Sequence, residues 1–139
     1  MTAMPSISEI RERSSLIPDE GIRRICVQII DEVEKRTGRE NQWTFQTFSK
    51  WTKLDPTDLM LFQSIQMLVA SIETPLLEMH FLYFDPSSDD ATGEHIADEE
   101  VKSAYRTGFL IHPHSGEKIH EFEEFLVPYF APSARLVLQ

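Results

Sequence analysis

Residues 55–84 read DPTDLMLFQSIQMLVASIETPLLEMHFLYF, and within this stretch the apolar period changes from helical to extended. Asp55-Pro56-Thr57-Asp58 has the form of a helix start. Asp55 is placed to accept a hydrogen bond from an unpaired backbone amide, and Pro56 falls at the first helical position, where its missing N–H is not needed. Leu61, Ile65, Leu68, Val69 and Ile72 then recur on one helix face. Leu59, Met60 and Phe62 widen that face, so the expected helix is largely buried and ends before Pro75. Over residues 76–84 the period becomes two. Met79, Phe81 and Tyr83 point one way, and Glu78, His80, Leu82 and Phe84 the other, which predicts a strand. A buried helix followed by a strand makes the expected class α+β: a helical N-terminal half packed on a small, mainly antiparallel sheet, with a C-terminal hairpin.

Upstream, Ile22, Ile25, Cys26, Ile29, Ile30 and Val33 form one stripe of a helix over residues 19–37. Acids at its start, Lys35 and Arg36 in its last turn and Gly38 beyond it suit the helix dipole and a glycine cap. Ser6 and Glu9 have capping-box spacing and open a short helical arm within residues 1–18. Trp43 to Trp51 carries both periods, with Phe45, Phe48 and Trp51 at three-residue spacing favouring a short helix.

Downstream, residues 85–95 hold turn formers and acids with almost nothing to bury, a surface loop whose segment 86–94 is expected to be the most mobile in the interior of the chain. A helix over residues 97–106 closes at Gly108, and residues 109–112 and 117–120 flank Gly116 as a hairpin. Phe122, Phe125, Leu126 and Tyr129 have helical spacing that Pro128 interrupts, so a helix of two turns at most is expected there, with a last edge strand over 134–138. No tract divides the 139 residues, and the expectation is a single domain over 1–139.

The charge is uneven. Residues 1–54 carry nine Lys or Arg against eight acids, whereas residues 55–139 carry four against fifteen, and the whole chain has a net charge of -10. That acidic part should repel phosphate backbones and anionic membranes, so nucleic acid is not an expected partner. No apolar run approaches the roughly 18 residues of a membrane span, and the single cysteine excludes an intramolecular disulfide; both fit a cytoplasmic location.

The search for catalytic motifs excludes more than it finds. The closest glycines, Gly108 and Gly116, are too far apart for any phosphate-cradling loop, and no Gly-x-Ser-x-Gly elbow is present. Cys26 shares the isoleucine stripe, where burial keeps a thiol protonated. His112, His114 and His120 fall in the hairpin and are the candidate metal ligands. Pro113 interrupts them, Glu124 stands where His-Glu-x-x-His needs its second histidine, and solvated turn histidines are the competing reading. Asp85, Asp89, Asp90 and Glu94 fail the EF-hand spacing at Asp90 and Ile96. No cofactor is called for. His80 is read as a hydrogen-bonded structural residue.

The function expected from these features is a small acidic, non-enzymatic protein-interaction or regulatory domain, whose partner is another protein or a second copy. Its contact residues would be Trp43, Phe45, Phe48, Trp51, Phe125 and Tyr129, provided those aromatics are exposed. A winged-helix-like domain binding nucleic acid or protein is the alternative, since a helix followed by a hairpin spans residues 97–120, although Asp98, Glu99 and Glu100 occupy the end of the helix that would meet bases. A small-ligand or metal-dependent enzyme is the third.

Overall fold

A computed structural model describes residues 5–71, 73–86 and 93–134. The chain is α+β, with five α-helices among the described residues, concentrated in the N-terminal half, and a small antiparallel sheet of three strands. In order these are α1 (Ile7–Ser14), α2 (Glu20–Arg36), α3 (Phe45–Thr52), α4 (Leu59–Ala70), β1 (Leu77–Tyr83), β2 (Glu94–Ile96), α5 (Asp98–Thr107), β3 (Leu110–Ile111), β4 (Lys118–Ile119) and β5 (Leu126–Pro132). The sheet order is β2-β1-β5, and β3 and β4 form a separate two-stranded hairpin. Two compact units result, one of Met1–Met79 with Phe130–Gln139 and one of His80–Tyr129.

In the first unit α2 is the central helix and packs against α1, α3 and α4. Ile25, Cys26, Ile29, Ile30 and Val33 of its stripe are buried, and Ile22 is partly buried against the same core. Asp19 caps the helix by accepting the Ile22 N–H at 3.0 Å. Arg11 ties α1 to α2 by meeting Asp31 at 3.1 Å and Glu34 at 2.8 Å. The Cys26 thiol is fully buried, and burial pushes its pKa up to about 11, as its place in the stripe requires.

The helix α4 starts later than its sequence implies. Asp55 does not cap it; the Asp55 carboxylate accepts the Thr57 N–H at 2.8 Å and the Thr57 hydroxyl at 2.6 Å, folding residues 55–58 into a turn. Asp58 is the cap, accepting from Met60 and Leu61. The buried stripe is then Leu61, Ser64, Ile65 and Leu68. Leu59, Met60 and Phe62 are exposed, against the expectation that they widen the buried face, because α4 uses only the side turned to α2. Ile72 lies outside the described residues.

The second unit has its own core of Tyr83, Ile96, Val101, Ala104, Leu110, Phe122 and Leu126. Gly108 ends α5 in the left-handed conformation at φ 91°, which reverses the chain into β3. Two expectations are corrected here. Glu94 and His95, assigned to the loop over 85–95, form β2 with Ile96, and Phe81 lies opposite Ile96 and Leu82 opposite His95. The segment expected as a short helix around Pro128 is a single 3-10 turn at Phe122–Phe125 followed by β5, since proline is accommodated at a sheet edge but not within a helix. The expected edge strand at 134–138 and the middle of the acidic loop, residues 87–92, fall outside the described residues apart from Ala134.

Candidate functional site

The aromatic run of the first unit folds inward. Thr44 caps α3 through a capping box with Thr47, and the helix delivers Phe48 to the core at 0% exposure. Trp43, 1% exposed, exchanges backbone hydrogen bonds with Phe130 at 2.8 and 2.6 Å, and it meets Trp51 edge-on at 5.7 Å. Trp51 packs partly buried beneath the Arg36 guanidinium, which lies 4.8 Å from its ring. Phe45 is also partly buried. Four of the six residues expected as a contact surface therefore belong to this core or line it, because aromatics at three-residue spacing put every ring on the buried side of one short helix.

What the first unit does expose is different. Leu59 is 67%, Met60 39% and Phe62 47% accessible, and Phe62 stacks on Phe45 with ring centroids 6.1 Å apart. This apolar step at the start of α4 was hidden in the sequence, since a helix apolar on all sides reads as a buried one. The signal that could have found it is the completeness of the 61, 65, 68 stripe without 59, 60 and 62.

The other two expected contact residues lie in the second unit and also face inward. Phe125 is partly buried, edge-on to Tyr83 at 6.4 Å. Tyr129 is 7% exposed, and its hydroxyl lies 2.8 Å from His95 Nδ1. His80, on the central strand β1, sits beside both, its ring 5.7 Å from that of His95 and 5.5 Å from that of Tyr129. Its Nδ1 is 3.1 Å from Asp98 Oδ1 at the start of α5. His80 is thus hydrogen-bonded, as its sequence context predicts.

All five histidines of the chain fall in this second unit, with eleven acids and only three basic residues. His112 is held on both nitrogens. Its Nδ1 accepts the backbone N–H groups of His114 and Ser115, each at 3.1 Å, so the proton of the neutral ring resides on Nε2 and is donated to Asp85 Oδ2 at 2.7 Å. Such a ring has no nitrogen left for a metal. The side chain of His112 is only 16% exposed, against the reading of solvated turn histidines, whereas His114 and His120 are exposed. His114 pairs with Glu94 at 2.8 Å, and His120 meets the Phe109 ring. Among the described residues no three His, Cys, Asp or Glu side chains are grouped to hold a metal ion. Beside His112, Tyr83 has its pKa raised, first by burial and then by the Asp85 charge. These are arrangements that join elements: β1 to α5, β2 to β5, and the hairpin turn to the segments after β1 and in β2.

Between α5 and β3 lies a further hollow of about 300 Å³, lined by Glu100, Ser103, Ala104, Thr107, Phe109, Leu110 and Ile111. The helix followed by a hairpin is present as α5, β3 and β4, with Glu99 and Glu100 exposed in the first turn of α5. No helix among the described residues is long and apolar enough to cross a membrane. No family model, curated protein or solved structure matches this chain, so its function is read from this geometry.

Proposed function

We propose that the chain is a protein-interaction or regulatory module that works without catalysis, and that the apolar step at the start of α4 is its contact surface. The observation that carries this reading is the exposure of Leu59, Met60 and Phe62 on a helix whose opposite side is fully buried. Scattered single apolar residues on a surface are ordinary, but large apolar side chains clustered on one turn and continued by a stacked Phe45 mark a place of contact. Their accessible area is on the order of 300 Å², well under the roughly 800 Å² per partner of a stable interface. A step of that size cannot by itself hold two copies together; it fits a segment of another protein. The engagement of His80, His95 and His112 in hydrogen bonds between elements supports the non-catalytic side of the reading.

The test is site-specific photocrosslinking in the source cell, with a crosslinking residue at Phe62 and a control at the exposed Lys35 on α2. A discrete protein adduct at position 62, absent at 35 and lost on adding Leu59→Ser, is expected. Equal labelling at both positions, or adducts to nucleic acid alone, would overturn the proposal.

A further inference from the structure

The hollow on the second unit is a surface of another kind, and it does not depend on the α4 step. Glu100, Ser103, Ala104 and Thr107 follow the i, i+3, i+4, i+7 spacing of one stripe along α5, so a single side of that helix forms one wall. The left-handed Gly108 turns the chain back, and Phe109, Leu110 and Ile111 form the other. The hollow exists because its central helix residues, Ser103 and Ala104, are small. Ala104 and Leu110 are 1% and 2% exposed and make an apolar floor, while Ile111 stands 46% exposed at the rim. At about 300 Å³ it lies at the lower limit of ligand pockets, a size suited to one large aliphatic side chain.

The charge around it selects what that side chain belongs to. Asp98, Glu99 and Glu100 occupy the first turn of α5, and the second unit as a whole carries eleven acids against Lys102, Arg106 and Lys118. Lys118 lies over the Phe109 ring at 4.7 Å, so the Phe109 end of the hollow carries the positive charge and the first turn of α5 the negative. We infer that this hollow docks a basic segment of a partner protein, seating a leucine or methionine between Ala104 and Leu110 while a neighbouring lysine or arginine meets Glu100. The shape alone would accept any aliphatic group; the charge complementarity commits the occupant to a basic one.

The experiment is a fluorescence-anisotropy titration of the full chain, at about 0.15 M salt, with a labelled nine-residue peptide that carries one leucine and has its lysines and arginines on one side of it, to meet the acidic end of the hollow. Saturable binding is expected, weakened about tenfold or more when the peptide leucine becomes alanine, since that removes the buried group. Glu100→Gln should weaken it by about twofold to fivefold, the range of a rim charge. Ser103→Met, which fills the hollow from a half-buried position, should abolish it, and Ala104→Met should do the same if the chain still melts cooperatively. Leucine and alanine peptides that bind equally would show simple attraction between polyelectrolytes and overturn the proposal, as would full binding by Ser103→Met. Neither outcome bears on crosslinking at Phe62, so failure here and failure of the α4 contact surface are told apart.

Discussion

Replacing His112 with leucine should destabilise the hairpin end of the second unit by about 2 to 3 kcal/mol, a figure that follows from three hydrogen bonds. Two of them run from the backbone N–H groups of His114 and Ser115 to Nδ1, and both residues are exposed, so water takes over part of their role. They contribute near the lower end of about 0.5 to 1.5 kcal/mol each. The third, from Nε2 to Asp85, involves a carboxylate that is 24% exposed and contributes more, about 1 to 2 kcal/mol after screening. His112→Asn separates these parts, because an asparagine oxygen can accept the same two amides in an Asx turn but cannot reach Asp85. It should cost less than leucine. His114→Leu is the control: its side chain is 72% exposed and that of its partner Glu94 is 44% exposed, so its loss should cost under about 0.5 kcal/mol. Urea unfolding gives the free energies, and hydrogen exchange at amides 114 and 115 should accelerate in the leucine variant only. A His112→Leu protein within about 0.5 kcal/mol of the parent, or one no less stable than His114→Leu, would refute the assignment of the ring as the pin of this turn.

Four further outcomes are expected. Ile29→Ala should cost about 2 to 5 kcal/mol in urea unfolding, since Ile29 is fully buried beneath α1, α3 and α4 and its truncation leaves a cavity. Cys26, with its pKa near 11, should resist thiol reagents at pH 8 in the native protein and react rapidly in denaturant; rapid native labelling would contradict its burial. Asp55 should titrate below the ordinary carboxylate value, because Thr57 hydrogen-bonds its charged form, so the small stability it lends is present above its unfolded-state pKa and lost as pH falls through its lowered folded value; an NMR titration follows it directly. A methyl at Gly21 would overlap Met60 Cε, but that side chain is 39% exposed and can swing away, so Gly21→Ala should change stability by less than about 1 kcal/mol while shifting the Met60 resonances.

Much of the fold was legible in the sequence where period and cap agreed. The α2 stripe and the change to period two at residue 76 each specify an element through local geometry. Where the reading failed, a competing partner was responsible. The start signal Asp55-Pro56-Thr57-Asp58 reads one turn early, because the Asp55 carboxylate is taken up by Thr57 and Asp58 caps the helix instead. Residues 94–96 become a strand because β1 offers a partner edge, which three residues cannot announce by themselves. At Phe122–Tyr129 the helical spacing of aromatics competed with Pro128, and the sheet edge won. The candidate surface was the least legible part: exposure depends on which side of α3 and α4 meets α2, and composition is silent on that. The aromatics that sequence marked as a contact surface are the ones the core consumed.

All five histidines fall within residues 80–129, and three of them bond between elements of that smaller unit. Its core holds seven buried apolar residues among those described, against sixteen in the first unit. A body of about 50 residues buries too small a fraction of its surface for apolar contacts alone to fix its loops. Side chains that bond on two sides then gain value, and imidazole offers a donor and an acceptor at opposite edges of a rigid ring. His112 uses both within one turn, His80 ties the central strand to the helix that follows β2, and His95 reaches Tyr129 across β1. Their contributions are ranked by burial: His112 is 16% exposed and His80 22%, while His114 is 72% exposed and adds little. Both ring nitrogens of His112 are held, by Asp85 and by the amides of His114 and Ser115. Three acids of the unit, Asp85, Glu94 and Asp98, serve these imidazoles, whereas Glu100 lines the hollow beside α5.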